Sequence, residues 1–149
     1  FVRKISADFV QQALMITQFE YSSEHSLQQQ LTAIAKQELA ILCSEDYINL
    51  SKAIFSEFFH SPDLGEEVIS KLDKADVGLK VWIKAAQKDG RIKKVDPFFA
   101  TTQFLSLLKA FCFWPVLLGH QAPSKVQQNR IIESAVSMFL DHYGAEGNL

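Results

Sequence analysis

The amino-acid sequence predicts an all-α protein, a helical bundle of about six helices folded as one domain. Apolar residues recur with the 3.6-residue helical period in almost every segment, and no segment shows the sustained two-residue alternation of a strand. Helix-capping residues recur between these segments. The length of 149 residues suits one domain, and 48% hydrophobic with 21% charged residues excludes a disordered or fibrous chain.

The first predicted helix covers residues 1–20, because apolar side chains recur at helical spacing from Phe1 to Phe19. It begins without a capping residue and without an initiating methionine. We therefore expect this chain to be the remainder of a longer one.

Capping residues place the next two helices. Ser26 and Gln29 form a capping box that opens a helix over 26–43. Ser44 is followed by two acidic residues, which favour the positive end of the helix dipole. This serine therefore predicts the N-cap of a helix over 45–60.

Prolines open the following two helices, because proline is favoured at the first helical position. Pro62 starts a helix predicted over 62–88 and broken near Lys71–Asp76. Pro97 follows an aspartate cap and starts a helix predicted over 97–118.

The last predicted helix covers 124–143 and is opened by a capping box of Ser124 and Gln127. Pro115 lies late in the preceding helix, where it removes one backbone hydrogen bond. It therefore predicts a kink or an early end of that helix.

The last two predicted helices carry more apolar surface than one chain can cover. The helix over 97–118 is apolar nearly all round, and the helix over 124–143 has only a narrow polar strip. We predict a homodimer formed through these helices, with a well-covered internal hairpin as the alternative. The residues assigned to the dimer interface are Phe98, Leu105, Cys112, Val116, Ile131, Ile132, Ala135, Val136, Met138, Phe139 and Tyr143.

Charge and composition exclude several classes of function. The net charge of −2 and the isoelectric point near 6.1 give no global basic field for nucleic acid. Cys43 and Cys112 lack metal-type spacing and indicate a reduced, cytoplasmic protein. Lys109 interrupts the longest apolar run, so we expect no membrane span.

Glu57 and His60 have the spacing of half a di-iron site on one helix. A di-iron bundle requires a second Glu-x-x-His motif, which this sequence lacks. A histidine at a helix C-terminus is more simply stabilised by the helix dipole. We predict no metal, no other cofactor and no enzymatic activity, with a metal-dependent helical enzyme using Glu57 and His60 as an alternative.

Three stretches of the chain resemble the C-terminal regulatory domain of TetR-type transcriptional regulators, in particular the AefR-like branch. They read AIFSEFFHSPDLGEEV, KAAQKDGRIKKVDPFFATTQFLSLLKAF and IIESAVSMFLDHYGA. Glu57 and Pro62–Leu64 match the family's turn between two helices, and Gly90 followed by Asp96 matches its turn into the penultimate helix. The resemblance covers about residues 44–145.

This resemblance implies a regulator, by family precedent a repressor, that forms a homodimer through its last two helices. It also implies an upstream helix-turn-helix domain that binds operator DNA and lies outside this chain. Residues 1–20 would then form the helix that links that domain to the present one.

Twelve phenylalanines, two tryptophans and three tyrosines suit an apolar cavity for a small hydrophobic or aromatic effector. Glu38 and Gln12 lie among apolar residues and are candidate specificity elements. The residues assigned to effector binding are Phe9, Gln12, Ile16, Glu38, Phe55, Phe58, Trp82, Phe104, Phe111 and Trp114. Core packing is the favoured explanation for any single ring, so a ligand-free interaction module is a further alternative. The effector would act by population shift, favouring one spacing of the two DNA-binding domains.

Overall fold

The computed structural model describes the backbone of residues 19–74 and 78–145, and the side chains of these residues other than 71–74. Within them the chain forms seven α-helices and no β-strand, which confirms the predicted all-α class. The helices are α1 (Leu27–Leu42), α2 (Glu45–His60), α3 (Pro62–Lys74), α4 (Gly78–Lys88), α5 (Pro97–Cys112), α6 (Trp114–Leu117) and α7 (Lys125–Tyr143). The helix predicted over 1–20 lies outside the described residues, apart from its last two residues, which are not helical.

The predicted N-caps at Ser26, Ser44 and Ser124 form, but of the two predicted capping boxes only the one at Ser124 is complete. Ser26 Oγ accepts a hydrogen bond from the backbone N–H of Gln29 at 3.1 Å, and so opens α1. At the start of α7 the capping box is complete, because Ser124 and Gln127 each bond the other's backbone N–H. α3 is described as far as Lys74 and α4 from Gly78, so the break predicted near Lys71–Asp76 falls partly on residues 75–77, which lie outside the described residues.

The helix predicted over 97–118 is divided into α5 and α6, and this corrects the sequence-based bounds. The N–H of Phe113 still bonds the carbonyl of Lys109 at 3.1 Å, after which α5 ends. Pro115 has no N–H to continue the ladder, so the chain makes only the four-residue helix α6. The early end therefore lies three residues before the proline.

The core lies where α5 packs against α1, α4 and α7. Trp82 from α4, Phe104 from α5 and Phe139 from α7 are all buried there. Burial of each such ring contributes roughly 1.5–3 kcal/mol to folding. The hairpin of α2 and α3 lies beside this core, because α2 contacts α1 and α6.

Arg91, in the turn after α4, forms hydrogen bonds with the segment before α1. Its guanidinium donates to the carbonyl oxygens of Ser22 at 3.2 Å and His25 at 2.9 Å. It also donates to the hydroxyl of Tyr21 at 3.1 Å, and that hydroxyl donates to Asp89 at 2.6 Å. The segment that leads from residues 1–18 into the bundle is thus fixed to the domain by charge-assisted hydrogen bonds.

No helix within 19–74 or 78–145 is both long and apolar enough to span a membrane.

Candidate functional site

Five aromatic rings from α2, α5 and α6 meet at one end of the bundle and are called here the aromatic cluster: Tyr47, Phe55, Phe58, Phe113 and Trp114. The rings of Phe55 and Trp114 lie 5.6 Å apart, and those of Tyr47 and Phe113 lie 5.7 Å apart, edge to face. Phe55 also packs against Phe58 at 5.8 Å. The early end of α5 makes this possible, because it turns Phe113 inward while Trp114 remains part-exposed.

Glu38 lies on the buried face of α1, with only 4% of its surface exposed. Its Oε1 atom accepts no hydrogen bond. Burial raises the pKa of this carboxyl to about 7, and the nearby charge of Lys109 lowers it only in part. Glu38 is therefore a buried acid without a hydrogen-bond donor for that oxygen.

Lys109 on α5 is the cation that faces this acid. Its Nζ lies 5.8 Å from the centroid of the Phe113 ring, a cation–π distance. Burial lowers the pKa of Lys109, and the charge of Glu38 opposes that shift. The pKa of Tyr47 rises to about 12 through burial and then through the charge of Glu38. The acid and the lysine thus border the aromatic cluster.

This arrangement suits the binding of a small molecule that has an apolar ring and one polar group. The aromatic cluster offers edges and faces for the ring. The Glu38 carboxylate is able to accept a hydrogen bond and the Lys109 ammonium is able to donate one. A single hydroxyl group of a ligand could therefore bond to both.

Four residues assigned to effector binding come together here: Glu38, Phe55, Phe58 and Trp114. Tyr47, Phe113 and Lys109 also lie at this site, but they were not among the residues that the sequence assigned to effector binding. Tyr47 lies eight residues before Phe55, on the same side of α2, and this helical spacing could have indicated it.

The other residues assigned to effector binding lie elsewhere. Trp82 is fully buried in the core, where its indole N–H donates to Gln30 at 3.1 Å. Phe104 is fully buried against Phe139, with ring centroids 5.3 Å apart. Phe111 is 61% exposed on the opposite side of α5. Phe9, Gln12 and Ile16 lie outside the described residues.

An open cavity of about 440 Å³ lies between the end of α5 and the face of α7, away from Glu38. Its lining includes Phe111, Pro115 and Ile131. Met138 lies seven residues after Ile131, on the same side of α7, and is 55% exposed. We call Phe111, Pro115, Ile131 and Met138 the outer face.

The residues assigned to the dimer interface divide into two groups in this structure. Ile131 and Met138 belong to the outer face, and Phe98, Leu105 and Val116 are half-buried. The remaining six are buried within the chain's own core: Cys112, Ile132, Ala135, Val136, Phe139 and Tyr143. Cys112 ends α5, and the stripe of α7 that contains the other five is covered by α1 and α5, so these six side chains expose little surface for a partner.

Glu57 and His60 both lie in the last turn of α2. Glu57 is half-buried and His60 is exposed in the last turn of α2. Among the described residues, no group of three or more histidine, cysteine, aspartate or glutamate side chains could hold a metal ion.

Residues 29–145 match the family described as "AefR-like transcriptional repressor, C-terminal domain". No curated protein sequence matches the chain. A crystal structure is known of a TetR family transcriptional regulator from Pseudomonas syringae pv. tomato str. DC3000, and its sequence is 31% identical to that of this chain. The two structures match with a TM-score of 0.82, and the match covers 95% of this chain and 73% of that one.

Two further solved structures share the fold. A TetR-family regulator from Mesorhizobium loti MAFF303099 is 18% identical, with a TM-score of 0.71 over 97% of this chain and 70% of that one. A TetR transcriptional regulator from Agrobacterium tumefaciens is 23% identical, with a TM-score of 0.68 over 95% of this chain and 72% of that one.

Proposed function

Because the chain belongs to the TetR family of transcriptional regulators and has the AefR-like C-terminal domain, we propose that it is the effector-binding and dimerisation domain of a repressor. Operator DNA would be bound by a helix-turn-helix domain outside residues 1–149. The effector would be a small hydrophobic or aromatic molecule. Its binding would change the affinity of the dimer for the operator.

The observation that carries this proposal is the buried Glu38, whose Oε1 accepts no hydrogen bond, beside the aromatic cluster. Burying a polar group without a hydrogen bond costs roughly 1–3 kcal/mol, and a buried charge costs more. A ligand that donates a hydrogen bond to Oε1 would recover part of this free energy. In a ligand with a hydroxylated aromatic ring, the hydroxyl oxygen would also accept a hydrogen bond from Lys109. The ring would pack against Phe55 and Phe58.

The outer face supports the proposal of a homodimer. It combines exposed side chains of α5 and α7 with the open cavity between those helices. Exposed apolar side chains beside an open cavity that polar side chains also line are typical of a protein–protein interface. In a two-fold dimer the same patch of each subunit would meet, so Phe111 of one subunit could enter the cavity of the other.

α5 provides a direct mechanical link between the two surfaces. Its last turn places Lys109 toward Glu38, Phe111 on the outer face and Phe113 in the aromatic cluster. A ligand that shifts this turn would therefore also shift the dimer interface. Because recognition helices of such dimers must lie about 34 Å apart on DNA, a small rotation of the subunits would weaken operator binding.

The proposal is tested by thermal unfolding of the chain with a panel of hydroxylated aromatic compounds. We expect at least one compound to raise the melting temperature, because a ligand that binds only the folded state stabilises it. Phe58→Ala should weaken the affinity of the chain for that compound about tenfold, because one aromatic contact surface is lost. Phe59→Ala is the matched control, because the neighbouring ring is 84% exposed and should leave the affinity unchanged.

The same compound is then titrated against the full-length protein bound to its operator. A change in operator affinity supports the regulatory role. If no compound stabilises the chain or alters operator binding, the alternative of a ligand-free interaction module replaces this proposal.

A further inference from the structure

The two cysteines of the chain meet in space although they are 69 residues apart in sequence. Cys43 caps the end of α1, and Cys112 is the last residue of α5. The thiol of Cys43 donates to the carbonyl oxygen of Cys112 at 3.4 Å. Both are free thiols, so the structure contains a dithiol at the junction of two helices.

The two thiols have different environments. Cys43 is half-buried and can be reached from solvent, whereas Cys112 is completely buried and donates to the carbonyl oxygen of Leu108 at 3.0 Å. Interaction with the Cys112 side chain lowers the pKa of the Cys43 thiol. Interaction with Cys43, together with burial, raises the pKa of Cys112. Cys43 is therefore the thiol that ionises first and meets reagents from solvent.

We propose that Cys43 and Cys112 form an oxidation site at which a hydroperoxide produces an intrachain disulfide. The Cys43 thiolate attacks one peroxide oxygen, the O–O bond breaks, and the alkoxide that leaves takes up a proton. This gives a sulfenic acid at Cys43 and an alcohol. Cys112 then attacks the Cys43 sulfur; the S–S bond forms, the S–O bond breaks, and the hydroxide leaves as water with the Cys112 proton. Two thiols are oxidised and one peroxide is reduced.

The disulfide would lie next to the polar groups of the effector site. Glu38 is five residues before Cys43 on α1, and Lys109 is three residues before Cys112 on α5. A covalent bond between the ends of these helices would fix the separation of Glu38 and Lys109. We therefore expect oxidation to change effector affinity, a consequence that rests on the proposed function, whereas the disulfide itself does not.

The test uses the whole chain, treated with cumene hydroperoxide under conditions that keep it folded. We expect the number of free thiols to fall from two to none, with one peptide pair linked within the chain. Cys43→Ser should leave the buried thiol of Cys112 unmodified. Cys112→Ala should stop the reaction at the Cys43 sulfenic acid, which dimedone would trap.

The wild-type result decides the proposal even if a variant fails to fold. Retention of both thiols, or a disulfide that joins two chains, would overturn it. Faster oxidation of Cys112 than of Cys43 would also overturn the assigned order. If the disulfide forms while a compound that binds the reduced chain keeps its affinity, the coupling to the effector site is excluded. Absence of any compound that binds the reduced chain contradicts the proposed function alone.

Discussion

A buried carboxylate oxygen that accepts no hydrogen bond reduces the stability of the fold around it. Oε1 of Glu38 is such an atom, and the location of Glu38 among apolar neighbours of α1 was evident from the sequence. Its partner was not, because Lys109 lies on α5 and meets it only through the packing of two helices. Residue-level spacing therefore identifies a buried acid on one helix but cannot identify the group that faces it from another.

The pH dependence of stability tests this view of Glu38. Its pKa in the folded state is about 7, above the ordinary value of 4.5, so the folded state favours the neutral acid. The penalty for ionisation is absent below pH 4.5, grows as the pH rises to 7, and is fully present above that pH. Glu38→Gln removes the penalty, so its stability relative to wild type should rise by up to about 3 kcal/mol between pH 4.5 and 8.

Urea unfolding at several pH values measures this difference. Glu133→Gln is the control, because Glu133 is exposed on α7, and its effect should not vary with pH in this way. A relative stability of Glu38→Gln that is constant between pH 4.5 and 8 would show that Glu38 is ionised without penalty in the folded protein.

Capping residues in the sequence were sufficient to predict where helices begin. They were insufficient to predict where α5 ends. The caps at Ser26, Ser44 and Ser124 depend on neighbouring residues only, and all three form. The end of α5 depends on Pro115 together with the contacts of Phe113 and Trp114 to α2. Those contacts join residues far apart in sequence, so the sequence predicted the break but not its position.

Removal of the α7 cap is predicted to destabilise the domain. Ser124→Ala removes the side-chain oxygen that accepts from the backbone N–H of Gln127, which should cost about 1 kcal/mol of unfolding free energy. Ser137→Ala is the matched control, because Ser137 is exposed in the middle of the same helix and should change stability by less than about 0.5 kcal/mol. Chemical unfolding of the two variants provides the comparison, and equal losses would argue against the cap.

For the whole molecule, apolar periodicity predicted surplus apolar surface but not which surface is left over. α7 has two adjoining apolar stripes, and its own chain covers the one that contains Val136 and Phe139. The stripe with Ile131 and Met138 remains on the outer face. Helix periodicity treats both stripes alike, because the choice between them is made by the positions of α1 and α5. The described aromatic residues that were assigned to effector binding divide in the same way between the core, the aromatic cluster and the outer face.

The proposed regulation of operator binding depends most on self-association through the outer face, because only a dimer would hold two DNA-binding domains at a fixed spacing. Phe111→Asp places a charge in this face, whereas Phe59→Asp places one on an exposed ring of α2 away from it. Sedimentation equilibrium at micromolar concentration is the most direct measurement. We predict a dimer for the wild type and for Phe59→Asp, and a monomer for Phe111→Asp. A monomeric wild type, or a Phe111→Asp variant that remains dimeric, would contradict the proposed interface.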